Sequence, residues 1–175
     1  IATCATAGPA DVAAAVEAAK AAWPAWRDLG AKKRATILRK AAQELRRRVP
    51  ELCEIETRQT GRPLREYKAQ LGRVPEWFEY HASLAETTEG SAPNFIDDRD
   101  HLCVVQKVPL GVCALITPFN HPLLIASKKL APCLATGNTA VVKPSELAPG
   151  SVLLLGEILA ASGAPPGVVN VLPGG

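Results

Sequence analysis

The sequence contains no methionine. A chain without a start residue is expected to be a piece of a longer polypeptide, and Gly174-Gly175 reads as an interrupted turn. Aromatic residues are scarce at 5%, and none interleaves with the basic run Arg46, Arg47 and Arg48. That run therefore reads as a solvated helix face, which excludes a nucleic-acid groove. The charge excess is small as well, +3. No apolar run approaches a membrane span and no signal-peptide pattern opens the chain, so no membrane partner is expected. Cysteine is limited to Cys4, Cys53, Cys103, Cys113 and Cys133, with no CxxC pair, which argues against zinc. Cys113 and Cys133 lie in apolar runs as small hydrophobes, and a reducing, cytoplasmic compartment follows. Also missing is a GxGxxG after any strand, the usual dinucleotide fingerprint.

What is present is an ordinary globular composition, 47% apolar and 21% charged, enough for one good core. The first half reads as helices. Asp11 caps a segment with Val12, Ala15, Val16, Ala19, Trp23 and Trp26 at helical spacing. A second helix starts near Ala31 and turns Ile37, Leu38, Ala41, Leu45 and Val49 inward. Pro50 is expected to start a short third helix that Gly61 ends. Tyr67, Leu71, Val74, Phe78 and Leu84 form a fourth stripe with a kink near Pro75. Glu89 to Asp100 is polar and turn-rich and marks a boundary between two layers.

Beyond it the period changes. Leu102 to Lys107 reads as a strand. Val112 to Ile116 is a continuous apolar run between Gly111 and Pro118, as a buried parallel strand requires. Pro122 to Ala135 reads as a helix closed by Gly137 and Asn138, and Thr139 to Val142 as a second strand. Pro149 opens another helix that Gly163 stops, and Val168 to Val171 is a third strand. The expected fold is α/β: a helical N-terminal layer over 1–100, then a βαβαβ parallel-sheet unit over 101–175, together one incomplete domain. Right-handed crossovers put both helices on one face of the sheet. Ligands then bind beyond the carboxyl ends of the strands.

Two turns at those ends carry candidate chemistry. Thr117-Pro118-Phe119-Asn120-His121-Pro122 sets a polar pair between prolines. The Asn120 amide is a fixed donor for a developing oxyanion, or a cap for the helix that follows. After the second strand, Lys143 and Glu146 with Ser145 suit a nucleotide, the cation near phosphate or ribose and the carboxylate on ribose hydroxyls. They equally suit a helix start, where acidic side chains are favoured.

Several strings agree in order and spacing: Pro109-Leu110-Gly111-Val112, Ile116-Thr117-Pro118-Phe119-Asn120, Lys129-Leu130-Ala131-Pro132, Gly137-Asn138-Thr139, Lys143-Pro144-Ser145-Glu146 and Pro166-Gly167-Val168-Val169-Asn170-Val171. With Trp23-Pro24-Ala25-Trp26, Glu56-Thr57 and Gly61-Arg62-Pro63-Leu64 upstream, the whole chain resembles the aldehyde dehydrogenase superfamily. The resemblance implies an NAD⁺-dependent oxidation of an aldehyde to a carboxylic acid, with NADP⁺ also accepted by many members, in a homo-oligomer. It makes Asn120 the oxyanion amide, Lys143, Ser145 and Glu146 the ribose side of the cofactor site, and Ile116, Thr117, Pro118 and Phe119 its wall. It also places the nucleophilic Cys, the general-base Glu and the pyrophosphate turn beyond residue 175. None of the five cysteines matches the nucleophile, so the chain alone is expected to be inactive in aldehyde oxidation and to hold nucleotide weakly. The alternative is a naturally short homologue that acts as a lyase, isomerase or cyclase, or as a non-catalytic binding module. His121 stands where the family often has an apolar aromatic residue.

Overall fold

A computed structural model of the protein describes residues 3–93 and 101–174. Four helices come first: α1 (Pro9–Asp28), α2 (Ala31–Thr60), α3 (Leu64–Leu71) and α4 (Val74–Glu86). A three-stranded unit follows, β1 (Val112–Ile116), α5 (Pro122–Ala135), β2 (Thr139–Lys143), α6 (Gly150–Ala161) and β3 (Val169–Val171). The strands lie in the order β1-β2-β3 and both pairs are parallel. Ile116 sits beside Lys143, so the two candidate turns leave the sheet at neighbouring points.

The expected βαβαβ unit is present, and both crossover helices lie on one face. Alternation along β2 makes this possible. Ala140 and Val142 face the main apolar cluster, which also holds Leu123, Leu130 and Leu134 of α5 and Leu155, Ile158 and Leu159 of α6. Val141 faces the other way, against Ala15 and Ala19 of α1. The small side chains of α1 let its backbone approach closely, and Thr139 Oγ1 donates to Ala19 O at 3.0 Å. Helix α2 supplies Leu38, Ala41, Ala42, Leu45 and Leu52 to the main cluster, with Phe78 of α4 alongside.

Three local expectations are corrected. Pro50 starts no helix: α2 runs 30 residues through it. A proline inside a helix removes one hydrogen bond at a cost of about 3 kcal/mol. The buried stripe Leu38, Ala41, Ala42, Leu45, Leu52, Cys53 and Glu56 stays in helical register across it, and that burial outweighs the loss. The fourth stripe is two helices, because the chain breaks at Gly72-Arg73 and Pro75 falls in the first turn of α4. The spacing Tyr67, Leu71, Val74, Phe78 hides this break, since it keeps one buried face across both helices. That face ends in Ala82, while Leu84 is exposed; Val12 of α1 is exposed too. Leu102 to Lys107 forms no strand but a single antiparallel bridge from Val105 to Ser91. The boundary segment from Glu89 to Asp100 lies outside the described residues from 94 onward.

One buried carboxylate ties α2 to the starts of both crossover helices. Glu56 is fully buried. Its Oε1 accepts the Leu123 N–H of α5 at 2.7 Å and the Ser151 hydroxyl of α6 at 2.6 Å. Both donors sit in first turns, where backbone N–H groups lack helical partners and the helix dipole favours an anion. Its Oε2 has no partner. Burial raises the Glu56 pKa above the ordinary 4.5, although Ser151, the Leu123 N–H and Arg62 pull the other way.

A carboxyl with a raised folded pKa favours the protonated folded form. Its stabilising contribution is complete below the ordinary value and lost as pH rises through the folded value. The stability advantage of wild type over Glu56→Gln should therefore shrink as pH rises from 4 to 8, by up to about 1.4 kcal/mol per pH unit within the titration window. Denaturant unfolding at several pH values tests this; an advantage that grows with pH would contradict it.

Candidate functional site

The site forms where β1 and β2 end. Thr117 N–H donates to Lys143 O at 3.0 Å, so the two turns are joined where they leave the sheet. Lys129 of α5 reaches over and donates to Ile116 O at 2.7 Å. Thr117 is buried and its hydroxyl has no partner. Pro118, Phe119 and Asn120 then run exposed to His121, where α5 begins. The helix takes His121 as its cap residue and receives no side-chain capping bond. The capping role open to Asn120 is thus not realised. Among the described residues the Asn120 amide makes no hydrogen bond at all. The backbone is bonded three residues before it, Thr117 N–H on Lys143 O, and three residues after it, Leu123 N–H on Glu56 Oε1.

The second turn is arranged around Lys143, which is half-buried and ends β2. Glu146 lies three residues on, its Oε2 3.7 Å from Lys143 Nζ and 3.4 Å from Ser145 Oγ. The Glu146 carboxyl is held below its usual range by a hydrogen bond from its own backbone N–H and by the Lys143 ammonium. Ser145 Oγ also accepts the Leu147 N–H at 3.3 Å. The pair is exposed, so its mutual attraction is weak and its groups are available to a ligand. Beside it a groove of about 240 Å³ opens, lined by Ile116, Leu115, Val141, Leu172, Val12 and the Lys143 stem among others. The groove is apolar apart from Lys143; Glu146 instead lines a second groove, of about 350 Å³, with Gln59, Leu147 and Leu153. Phe119 is exposed, and neither it nor Pro118, Thr117 or Asn120 lines this groove.

A second group of side chains adjoins Asn120 on the α3 side. The half-buried His121 ring has Gln70 Oε1 at 2.9 Å from Nδ1, while Arg62 Nη1 lies 3.2 Å from Nε2 and 3.4 Å from Nδ1. Guanidinium can only donate, so Nε2 accepts and Nδ1 carries the proton, a neutral tautomer. Burial depresses the His121 pKa below 6.5, and the nearby Arg62 and Lys128 cations depress it further. Gln70 has no motif that would have singled it out. Arg62 was visible only as a letter in Gly61-Arg62-Pro63-Leu64. Glu56 was likewise one letter of Glu56-Thr57, and only the tertiary packing reveals what it holds. The cysteines are all unpaired. Cys53 and Cys133 are buried, and burial pushes both thiols away from the reactive thiolate form.

The aldehyde dehydrogenase family profile matches residues 1–175, and the chain belongs to that family. It is 39% identical over 175 residues to 5-carboxymethyl-2-hydroxymuconate semialdehyde dehydrogenase of Escherichia coli, covering 99% of this chain and 37% of that protein. It is 39% identical over 179 residues to betaine aldehyde dehydrogenase of Bacillus subtilis, covering 99% of this chain and 36% of that one. Among solved structures it matches PnpE from a Pseudomonas species in complex with nicotinamide adenine dinucleotide. That match has a TM-score of 0.95 and 43% identity, over 100% of this chain and 36% of the other. The chain thus spans little more than a third of the length of these relatives.

The imidazole environment is directly measurable. His121 should titrate below 6.5 in a ring nitrogen NMR experiment. Arg62→Gln should move its midpoint upward yet leave it below 6.5, because burial is the larger cause. A midpoint above 6.5 in the unmutated protein would contradict the arrangement.

Proposed function

We propose that this chain supplies the oxyanion amide and part of the cofactor site of an NAD⁺-dependent aldehyde dehydrogenase that converts an aldehyde to a carboxylic acid. Family membership supports the reaction class. The observation that carries the reading is Asn120, an exposed and unbonded amide on a turn pinned at both ends. Because no bond inside the protein holds the amide, it can turn toward the aldehyde oxygen without breaking one. In this reading Asn120 Nδ2 donates to that oxygen as a nucleophile adds to the carbonyl carbon. In this reading the nucleophilic thiol and general base come from the part of the relatives' length that this chain does not span.

The groove beside Lys143 fits the adenosine end of a dinucleotide. Ile116 and the Lys143 stem would pack against the base and ribose. Glu146 would accept from ribose hydroxyls, with Ser145 and Lys143 holding the carboxylate in place. NAD⁺, when bound, supplies the hydride acceptor, while water supplies the second oxygen of the acid and protons leave to solvent. Thr117, Pro118 and Phe119 do not line this groove and would lie between it and the reacting carbonyl. NADP⁺ remains an alternative cofactor in this reading, and a cytoplasmic homo-oligomer with a small aldehyde substrate its setting. Neither a nucleic-acid nor a membrane partner enters it; among the described residues no helix is long and apolar enough to cross a membrane.

Two variants of the full-length enzyme test the assignment. Asn120→Ala should lower kcat by about 10²–10³-fold, the usual effect of losing one oxyanion donor, while the KM for NAD⁺ stays within about threefold. An unchanged kcat would remove Asn120 from the chemistry. Glu146→Gln should weaken repulsion of a 2′-phosphate and raise the NADP⁺/NAD⁺ ratio of kcat/KM by about tenfold, as a change of 1.4 kcal/mol would. An unchanged ratio would place the ribose contact elsewhere.

A further inference from the structure

The names of relatives at equal identity, a carboxymethyl-bearing semialdehyde dehydrogenase and a betaine aldehyde dehydrogenase, indicate substrates of different charge. Similarity therefore leaves the aldehyde open, but the side chains beside Asn120 do not. The groove at Ile116 and Lys143 occupies one side of the Asn120 turn. A substrate whose carbonyl reaches Asn120 has the other side left for the rest of its length, the face shared by α3, α4 and α5.

That face is cationic. Arg62 is half-buried there, with one Nη on His121 and its ring-stacking surface toward Tyr67 at 5.8 Å. The carboxylate nearest to it is Glu66, whose Oε2 lies 3.8 Å from Arg62 Nε, beyond a good hydrogen bond. The buried Glu56 carboxyl is also within electrostatic range of Arg62, but both of the contacts it accepts go elsewhere. Lys128 lies two helical turns beyond His121 on α5 and packs its ammonium over the half-buried Trp77 ring at 5.0 Å. Among the described residues it has no carboxylate partner, and it is close enough to His121 to act on its charge. Gln70, which accepts from His121, keeps its own amide N–H groups as further donors. The face thus offers two cations, one of them with Glu66 beside it, and the Gln70 amide as a neutral donor, set against the indole of Trp77.

We propose that this face receives a carboxylate carried at the far end of the substrate, so that the preferred aldehydes are semialdehydes of dicarboxylic acids. The proposal rests on the aldehyde dehydrogenase reading above. Arg62 and Lys128 act as specificity residues: they attract the anionic end and leave the carbonyl to Asn120. Arg suits this task through its planar fork of donors, and Lys128 through a mobile ammonium that follows substrates of different length. A cationic aldehyde meets like charge on the same face and is rejected.

The test is a comparison of kcat/KM by the full-length enzyme for butanal, succinic semialdehyde and betaine aldehyde, with NAD⁺ at saturation. Succinic semialdehyde should exceed butanal by at least about tenfold, betaine aldehyde should fall below butanal, and the acid preference should decline as salt is added. Lys128→Gln and Arg62→Gln should each cut the ratio of succinic semialdehyde to butanal by about threefold to tenfold. Lys128 is exposed, so Lys128→Glu is expected to fold and should cut that ratio further. Equal or greater activity with butanal or betaine aldehyde, or ratios insensitive to all three variants, would overturn the proposal while the dehydrogenase reading stands. Failure to oxidise any of the three aldehydes would count against both.

Discussion

The arrangement of the site depends on one buried carboxylate. Glu56 projects from the long helix α2 into the gap where α5 and α6 begin, and one of its oxygens serves donors from both. A carboxylate in that position would be costly if it were alone, since desolvation disfavours its charge. Two helix starts offset part of that cost: α5 presents the Leu123 N–H, which otherwise lacks a partner, and α6 the Ser151 hydroxyl. The same contact does two jobs for the turns at the sheet edge. It fixes Leu123 in the first turn of α5, three residues after Asn120, and Ser151 in the first turn of α6, five residues after Glu146. The two halves of the candidate site therefore share an anchor that belongs to neither.

A second buried charge holds the opposite ends of the helices. Arg34 of α2 donates to Arg27 O at the end of α1, at 2.8 Å, and to Ala135 O at the end of α5, at 3.2 Å. Helix C-termini carry the negative end of the dipole, so a guanidinium is favoured there as a carboxylate is at N-termini. Burial lowers the Arg34 pKa without bringing it near neutrality. Helix α2 thus clamps α5 at both ends with charges of the appropriate sign. This explains why a helix carrying Pro50 remains continuous: a break there would separate Arg34 from Glu56 and release both ends of α5.

Much of the sheet was legible in the sequence because its signals are local. Val112 to Ile116 and Thr139 to Val142 are apolar runs bounded by glycine or proline, and both strands formed within a residue of those bounds. The turns after them were legible for the same reason, as polar residues punctuated by proline. The helical half was read less well. Periodicity reports which face is buried but not whether the backbone is continuous, so it joined α3 to α4 across Gly72 and split α2 at Pro50. Leu102 to Lys107 has strand composition but pairs only at Val105, since composition does not supply a neighbouring strand. The candidate site was partly legible: Asn120, Lys143 and Glu146 stand on one edge, as their places after strands require. Glu56, Arg62, Gln70 and Lys128 were not, because each acts through residues 51 to 95 positions away and no spacing rule reaches that far.

These observations divide the edge into parts with different demands. The side toward β2 is an apolar groove next to the solvated Lys143–Glu146 pair, which costs little to leave in water. The face toward α3 and α4 holds the half-buried Arg62 and the exposed Lys128, cations that suit an anionic ligand. Asn120 lies between them and is subject to neither constraint. Its amide is exposed, so its unsatisfied hydrogen-bonding capacity is met by water rather than paid as strain. The backbone on both sides is meanwhile fixed by Thr117 N–H on Lys143 O and by Leu123 N–H on Glu56. A fixed backbone with a free side chain is the condition under which a donor can be aimed without first breaking a bond inside the protein. The lack of a cap at α5 is part of the same arrangement. Had Asn120 capped the helix, its amide oxygen would have been drawn inward and its N–H groups turned with it; Glu56 makes that unnecessary by meeting the first turn from the other side.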